Sequence, residues 1–401
     1  MTCGPVVVLA FCVAAFAPAA RATPPGALIS SQVDSPTYQH YLEDLLYTHL
    51  GDNRGNGPQH DLARTNIVST LQSFGLTVAL EPFVYLSVTY YNVVATQPGT
   101  DTPGQVIVVG AHFDSVNNPG ADDNATGTAL VMETARILSQ HRATRTIRYC
   151  LFDREEQGRR GSIAYVAAHP GETVLAVTAD MIGHDSGAFG TDLYGRTTSS
   201  VVVNGLASAI TTYGNHLSPF VNLGNYSFSD HWSFESAGIP SVVAIERCYT
   251  CNANYHTPND AVDIAPGYIS YPLATEVVKS FVGYLVDTVP VALWGDSDND
   301  ADVDAADLAA FRSCYGAGMT PVCRAFDRDM DGDVDCSDWP SFRLAYFSSS
   351  GMTPALSDDE FVEVLLGNDT NAADVCIADM NLDGTVDGRD VAAQVAADLG
   401  N

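Results

Sequence analysis

Positive charge is scarce in this 401-residue sequence, where 18 Lys+Arg stand against 48 Asp+Glu for a formal net charge of −30. With no basic patch, nucleic acid and anionic membrane surfaces are poor partners. Membrane-spanning runs are lacking too. Val6 to Phe16 is apolar but too short to cross a bilayer, and no later stretch is long and apolar enough. That early segment lacks the Lys or Arg that usually precedes an export signal. It is nevertheless followed by the small-x-small site Ala20-Arg21-Ala22 and then Thr23-Pro24-Pro25. Residues 1–22 therefore read as a signal peptide cleaved near Ala22, which predicts a secreted, extracellular protein. Of nine cysteines, Cys3 and Cys12 leave with that segment. The seven that remain leave at least one unpaired or paired between chains. Cys248 with Cys251, and Cys314 with Cys323, suit disulfides in an exported protein. Cys150 lies in an apolar run and reads as a small buried hydrophobe.

What is present points to a core-forming protein of two or three domains, 46% hydrophobic by composition. Acid is unevenly spread: residues 291–401 hold 23 Asp+Glu against 5 Lys+Arg. The tail is a different kind of object from the rest.

Apolar spacing predicts helices over Tyr38 to Leu50 and His60 to Phe74, the second stopped by Gly75. Strands are expected over Leu76 to Val84, Val88 to Thr96, Val106 to Ala111, Thr146 to Phe152, Val174 to Met181 and Ser241 to Ile245. Helices are expected from about Thr128 to Leu138, then Ser162 to Ala168, Val201 to Tyr213 and Tyr268 to Val286. Strands alternating with helices after residue 105 argue for an α/β domain over residues 23–290, with a mixed, mostly parallel central sheet flanked by helices. Pro290 marks its expected end.

Acids and imidazoles gather where such sheets place their ligands, at carboxyl strand edges. His112-Phe-Asp114 ends one strand, with the acidic pair Asp122-Asp123 just beyond it. Glu155-Glu156 follow another strand, Asp180 a third, and His256 lies in a loop before Asp260. Two His and three carboxylates without thiolate suit a hydrolytic zinc site, with one carboxylate bridging two ions about 3.5–4 Å apart. A spare carboxylate beside the ions serves as general base.

The runs GAHFDS, PGADDNATG, EEQGRRGS, ADMIG, SDHWSF and YHTPND together resemble the co-catalytic zinc aminopeptidases of the bacterial leucyl and aminopeptidase Y type, over roughly residues 30–288. The resemblance implies two zinc ions. It places His112 and Glu156 on one and Asp180 and His256 on the other, with Asp123 as the bridge. It casts Glu155 as general base and Asp114 as the acid that orients His112. Tyr255 or Tyr226 would hydrogen-bond the developing oxyanion, and Asp230 and His231 would pack or support rather than ligate. It implies hydrolysis of N-terminal peptide bonds in peptide or protein substrates. The alternatives are a glutaminyl cyclase-like enzyme with a single zinc, or another zinc exopeptidase such as a carboxypeptidase.

Three tail segments repeat one acidic pattern. Asp296, Asp298, Asp300, Asp302, Asp304 and Asp307 form the first. Asp327, Asp329, Asp331, Asp333, Asp335 and Asp338 form the second. Asp379, Asn381, Asp383, Thr385, Asp387 and Asp390 form the third. Positions 1, 3, 5, 7, 9 and 12 are those of an EF-hand calcium loop, with position 7 using its backbone carbonyl. Asp at position 12 resembles dockerin modules. Small all-α units are therefore expected at 291–347 and, after a linker at 348–357, at 358–401. They would bind up to three Ca²⁺, with a cohesin-like or cell-surface partner as one use. Leu308 to Phe311, Asp359 to Leu366 and Val391 to Ala397 are the expected helices. Asn124, Asn225 and Asn368 fit the glycosylation sequon, the first by chance, because it lies inside the zinc site.

Overall fold

The computed structural model describes residues 25–289 without a break. In the tail it describes 291–292, 294–298, 302–318, 320, 322–328, 333–350, 356–380, 385–387, 389–391 and 394. The expected signal peptide, Asp300, Asp329, Asp331, Asn381, Asp383 and most of the helix expected at Val391 to Ala397 lie outside the described residues.

Ten strands are described: β1 (Thr77–Tyr85), β2 (Val88–Gln97), β3 (Thr102–His112), β4 (Arg142–Ala143), β5 (Arg145–Phe152), β6 (Thr173–Ala179), β7 (Gly190–Gly195), β8 (Ser218–Leu223), β9 (Ser241–Glu246) and β10 (Val291–Ala292). Eight of them form one sheet in the order β1-β2-β5-β3-β6-β9-β7-β8. β5, β3, β6 and β9 run parallel through its centre. β1 and β2 form an antiparallel hairpin at one edge. The expected mixed, mostly parallel α/β sheet is what the chain forms. Its central strands are buried on both faces, so they read as continuous apolar runs: Val106, Ile107, Val108 and Val109 are all within 2% of full burial.

Helices Gly127–Leu138 and Ser200–Tyr213 pack on the sheet, and Tyr271–Thr288 packs against both of them. The last is capped by the Ser270 hydroxyl, which accepts from Leu273 N, and carries Pro272 in its first turn. Its apolar residues from Leu273 to Val286 join the main core. The expected helix at Tyr38 to Leu50 is shorter: Ser35–His40 passes into a wider turn at Tyr41–Leu45. β7 and β8 were not expected. β7 is a polar hexamer bounded by Gly190 and Gly195, and β8 carries Pro219, which suits an edge strand.

In the tail, helices cover Ala305–Cys314, Trp339–Ser350, Asp358–Leu365 and Ala372–Ala378. The second and fourth were not anticipated, and the second runs through Ser348, where a linker was expected. β10 pairs with β4, and Arg142 Nη2 donates to the Asp296 carbonyl at 3.5 Å, so the tail begins against the α/β domain. The third acidic loop is tied to the first two. Cys336 bonds to Cys376, and Arg312 reaches Asp374 at 2.7 Å and Glu360 at 3.1 Å. No helix among the described residues is long and apolar enough to cross a membrane.

Candidate metal centre

Each expected zinc ligand sits where a strand or turn delivers it. His112 is the last residue of β3, and Asp180 follows β6. Glu155 and Glu156 stand on the turn after β5. Asp123 is carried by the kinked turn Ala121–Thr126, and His256 adopts a left-handed φ of 57° in its loop.

The five side chains meet. His112 Nε2 lies 3.3 Å from Asp180 Oδ1 and 3.3 Å from Asp123 Oδ1. His256 Nε2 lies 3.0 Å from Asp123 Oδ2 and 3.1 Å from Glu156 Oε2. Asp123 thus spends one oxygen on each imidazole. His112, Asp123 and Glu156 also offer ligand atoms within 4.8 Å of one another. Besides Asp123, which both imidazoles share, His112 contacts Asp180 and His256 contacts Glu156. His112 meets Asp180 because β3 and β6 are neighbours in the sheet and deliver their end residues side by side, while the expected pair His112 and Glu156 also comes together around Asp123.

Burial opposes charge on His112, but the carboxylates of Asp180, Asp114 and Asp123 outweigh it and hold its pKa well above the ordinary value. His256 is pushed up to about 10: burial again opposes, and Asp123 and Glu156 win. Burial raises Glu156 to about 8, with Asp123 adding to the shift, and burial keeps Glu155 well above the carboxylate range. Asp123, facing two imidazoles, is lowered despite its burial. Without added cations this cluster must borrow protons. Glu156 Oε1 is also buried with no hydrogen-bond partner among the described residues. An oxygen-and-imidazole donor set with excess acid and an orphaned carboxylate oxygen fits divalent metal.

Supporting contacts fix the ligands. Asp114, fully buried, accepts the Glu155 N–H at 3.0 Å and the Glu156 N–H at 3.4 Å, with an oxygen 3.5 Å from His112 Nδ1. Asp260 accepts the N–H groups of Asp122 and Asp123 at 2.8 and 3.0 Å. Asn124, wholly buried, donates to the Ala179 carbonyl and accepts from Gly127 and Met181 N–H groups, which accounts for its place beside Asp123 without glycosylation.

Arg54 was missed by the sequence reading, since no motif marks it. It is fully buried and donates to the carbonyls of Phe113 at 2.7 Å, Pro119 at 2.8 Å and Gly120 at 2.5 Å. It clamps the loop between His112 and Asp123. Burial lowers its pKa to about 10, against the pull of Asp260, Asp123 and Asp114.

The ligands open into a cleft of about 240 Å³, walled by Met181, Phe228, Ile245, Tyr249 and Tyr255, with Glu155 and Arg159 at its lining. Tyr255 stacks on His256 with ring centroids 3.9 Å apart. Tyr226 is not among the lining side chains; it packs on Tyr194 at 4.7 Å. Tyr249, held between the bonded Cys248 and Cys251, was not anticipated. Asp230 and His231 are buried; burial raises Asp230 to about 7 and lowers His231 to about 3.

Residues 92–271 match the profile of Peptidase family M28. The leupeptin-inactivating enzyme 1 of Streptomyces exfoliatus is 28% identical, over 65% of this chain and 63% of that enzyme. The chain thus spans less than two thirds of that relative's length. Among solved structures, the LapA aminopeptidase of Legionella pneumophila superposes with a TM-score of 0.57 at 21% identity, over 66% of this chain and 74% of that one. The glutaminyl cyclase of Porphyromonas gingivalis gives 0.51 at 22% identity, over 64% and 99%. These two structural likenesses are likenesses of fold.

In the tail, Asp296, Asp298 and Asp307 offer oxygens within 4.8 Å of one another, as do Asp302, Asp304 and Asp307. Asp307 closes its loop, accepting Ser297 N–H at 2.7 Å on one oxygen and Asp304 N–H at 2.9 Å on the other. Asp338 does the same for Arg328 at 2.5 Å and Asp335 at 3.0 Å, and Asp390 accepts Asp387 N–H at 3.0 Å. All three position-12 acids are buried. Asp327, Asp333, Asp379, Thr385 and Asp387 remain half-buried or exposed on their loops. Cys314 and Cys323 are bonded as expected, and Cys150 is free and buried.

Proposed function

We propose that this chain is a secreted, zinc-dependent aminopeptidase with a calcium-binding tail. One observation carries the enzymatic reading: Asp123 turns one oxygen to His112 and the other to His256, with Glu155 lining the same cleft. That arrangement favours two ions over the single zinc of a cyclase. His112, Asp180 and Asp123 Oδ1 would hold one; His256, Glu156 and Asp123 Oδ2 would hold the other. The match to peptidase family M28 and the likeness to a leupeptin-inactivating enzyme support peptide substrates.

Zinc, when bound, supplies Lewis-acid polarisation of water and carbonyl. The chain's own groups do the rest. Glu155, kept basic enough by its buried acidic surroundings, accepts a proton from the attacking water and passes one to the leaving amine. Asp114 fixes the backbone of Glu155 and the ring of His112. Tyr255 and Tyr249 wall the cleft. The acids of the centre attract a free α-ammonium group, and the apolar wall takes the first side chain.

In the tail, the repeated closure by Asp307, Asp338 and Asp390 supports calcium loops, and charge repulsion among their acids makes folding dependent on the ion. A panel of aminoacyl-nitroanilides, assayed with and without a zinc chelator, tests the enzymatic reading. Chelator-sensitive release is expected; release indifferent to chelator rejects it.

A further inference from the structure

Beyond the metal centre, one charge in the cleft is unexplained. Arg159 lines the cleft together with Glu155 and Glu156, and it also lines a second groove of about 340 Å³ beside Ile163 and Trp232. It is half-buried, and its Nε is buried without a hydrogen-bond partner. Among the described residues Arg159 makes no ion pair. This is anomalous in a chain where acids outnumber bases 48 to 18. Its backbone is held in place: Arg159 N–H donates to the Glu155 carbonyl at 2.7 Å, and its φ is 59°. The guanidinium therefore starts from a fixed point, one turn beyond the general base.

We propose that Arg159 recognises a substrate carboxylate on the leaving-group side of the scissile bond. The inference rests on the aminopeptidase reading. If the α-ammonium group sits by the acids and the first side chain against Met181, Phe228, Ile245 and Tyr249, the rest of the substrate must leave by the open side. Arg159 lines both the cleft and the groove past Ile163 and Trp232, so that groove offers such an exit. A guanidinium with free donors matches a carboxylate in charge and in its forked geometry. The carboxylate has two sources. It is the C-terminus of a dipeptide, or the side chain of an acidic residue following the bond.

The test uses the full zinc-loaded chain and Arg159→Gln on two substrate pairs. Leu-Gly against Leu-Gly-amide probes the terminal carboxylate; Leu-Asp-amide against Leu-Asn-amide probes the side chain. The wild type is expected to prefer the carboxylate member of at least one pair by about tenfold in kcat/KM, chiefly through KM. In Arg159→Gln that ratio is expected to fall to near one, and Arg159→Lys should restore part of it. The pair that responds identifies the source. Equal ratios in wild type and Arg159→Gln for both pairs overturn the inference alone. No hydrolysis of any of the four by the wild type overturns the aminopeptidase reading, and this inference with it.

Discussion

The carboxylate of Asp114 accepts the backbone N–H of Glu155 at 3.0 Å, joining the end of β3 to the turn after β5. A fully buried acid thereby sets the position of the proposed general base. Asp114→Asn keeps the shape but replaces an acceptor-only group with one that donates. Activity is expected to fall about 10- to 100-fold, the usual cost of losing an outer-shell partner, with little change in far-UV dichroism. Activity within twofold of wild type would reject the role.

Glu155→Gln removes the proposed base while leaving the five proposed ligands intact. Turnover is expected to fall by about 10²–10⁴ with zinc content unchanged. Loss of metal in this variant would place Glu155 among the ligands instead.

Arg54 carries a prediction about stability. Arg54→Met would leave the buried carbonyls of Phe113, Pro119 and Gly120 without their donor, at about 1–3 kcal/mol for each one not re-satisfied. Urea unfolding is expected to show a loss of at least about 3 kcal/mol, and Arg54→Lys an intermediate loss. A loss under about 1 kcal/mol would mean that the clamp is dispensable.

Much of the centre was legible in the sequence because the sheet is. Apolar runs such as Val106 to Val109 are buried on both faces, so the residue after each run had to lie at a strand end. Five chemically coherent side chains then fell at such ends or in the loops beside them. What sequence order could not give is lateral neighbourhood. β3 lies between β5 and β6 in the sheet. Only that order reveals that His112 meets Asp180. Arg54 was invisible because its partners are backbone carbonyls, which carry no residue type. Tyr249 was hidden for a similar reason, its position being set by the loop between Cys248 and Cys251. The Cys336–Cys376 bond spans 40 residues, and spacing alone says nothing at that range.

Glu360 gives a pH prediction for the tail. Its pairing with Ser357 at the start of helix Asp358–Leu365, aided by Arg312, holds its pKa below the usual carboxylate value. A depressed folded-state pKa contributes stability above the unfolded value and loses it as pH falls through the folded one. Wild type should therefore exceed Glu360→Gln in tail Tm above about pH 5, with the gap closing below about pH 4. A gap constant from pH 7 to 3 would contradict this.

The calcium loops are tested by Asp307, which is buried and closes loop one through Ser297 and Asp304. Calcium is expected to raise the tail transition in calorimetry, and a calcium chelator to lower it. Asp307→Ala should shrink that shift and also cost about 0.5–2 kcal/mol through the lost cap. A transition indifferent to calcium in the wild type would discard the loops as ion sites.

Asp123 is proposed to serve two ions at once, and elemental analysis of the full chain counts them. After dialysis in zinc followed by metal-free buffer, the wild type should retain close to two zinc per chain and Asp123→Ala much less than one. Two zinc retained by Asp123→Ala, or none by the wild type, would contradict the account.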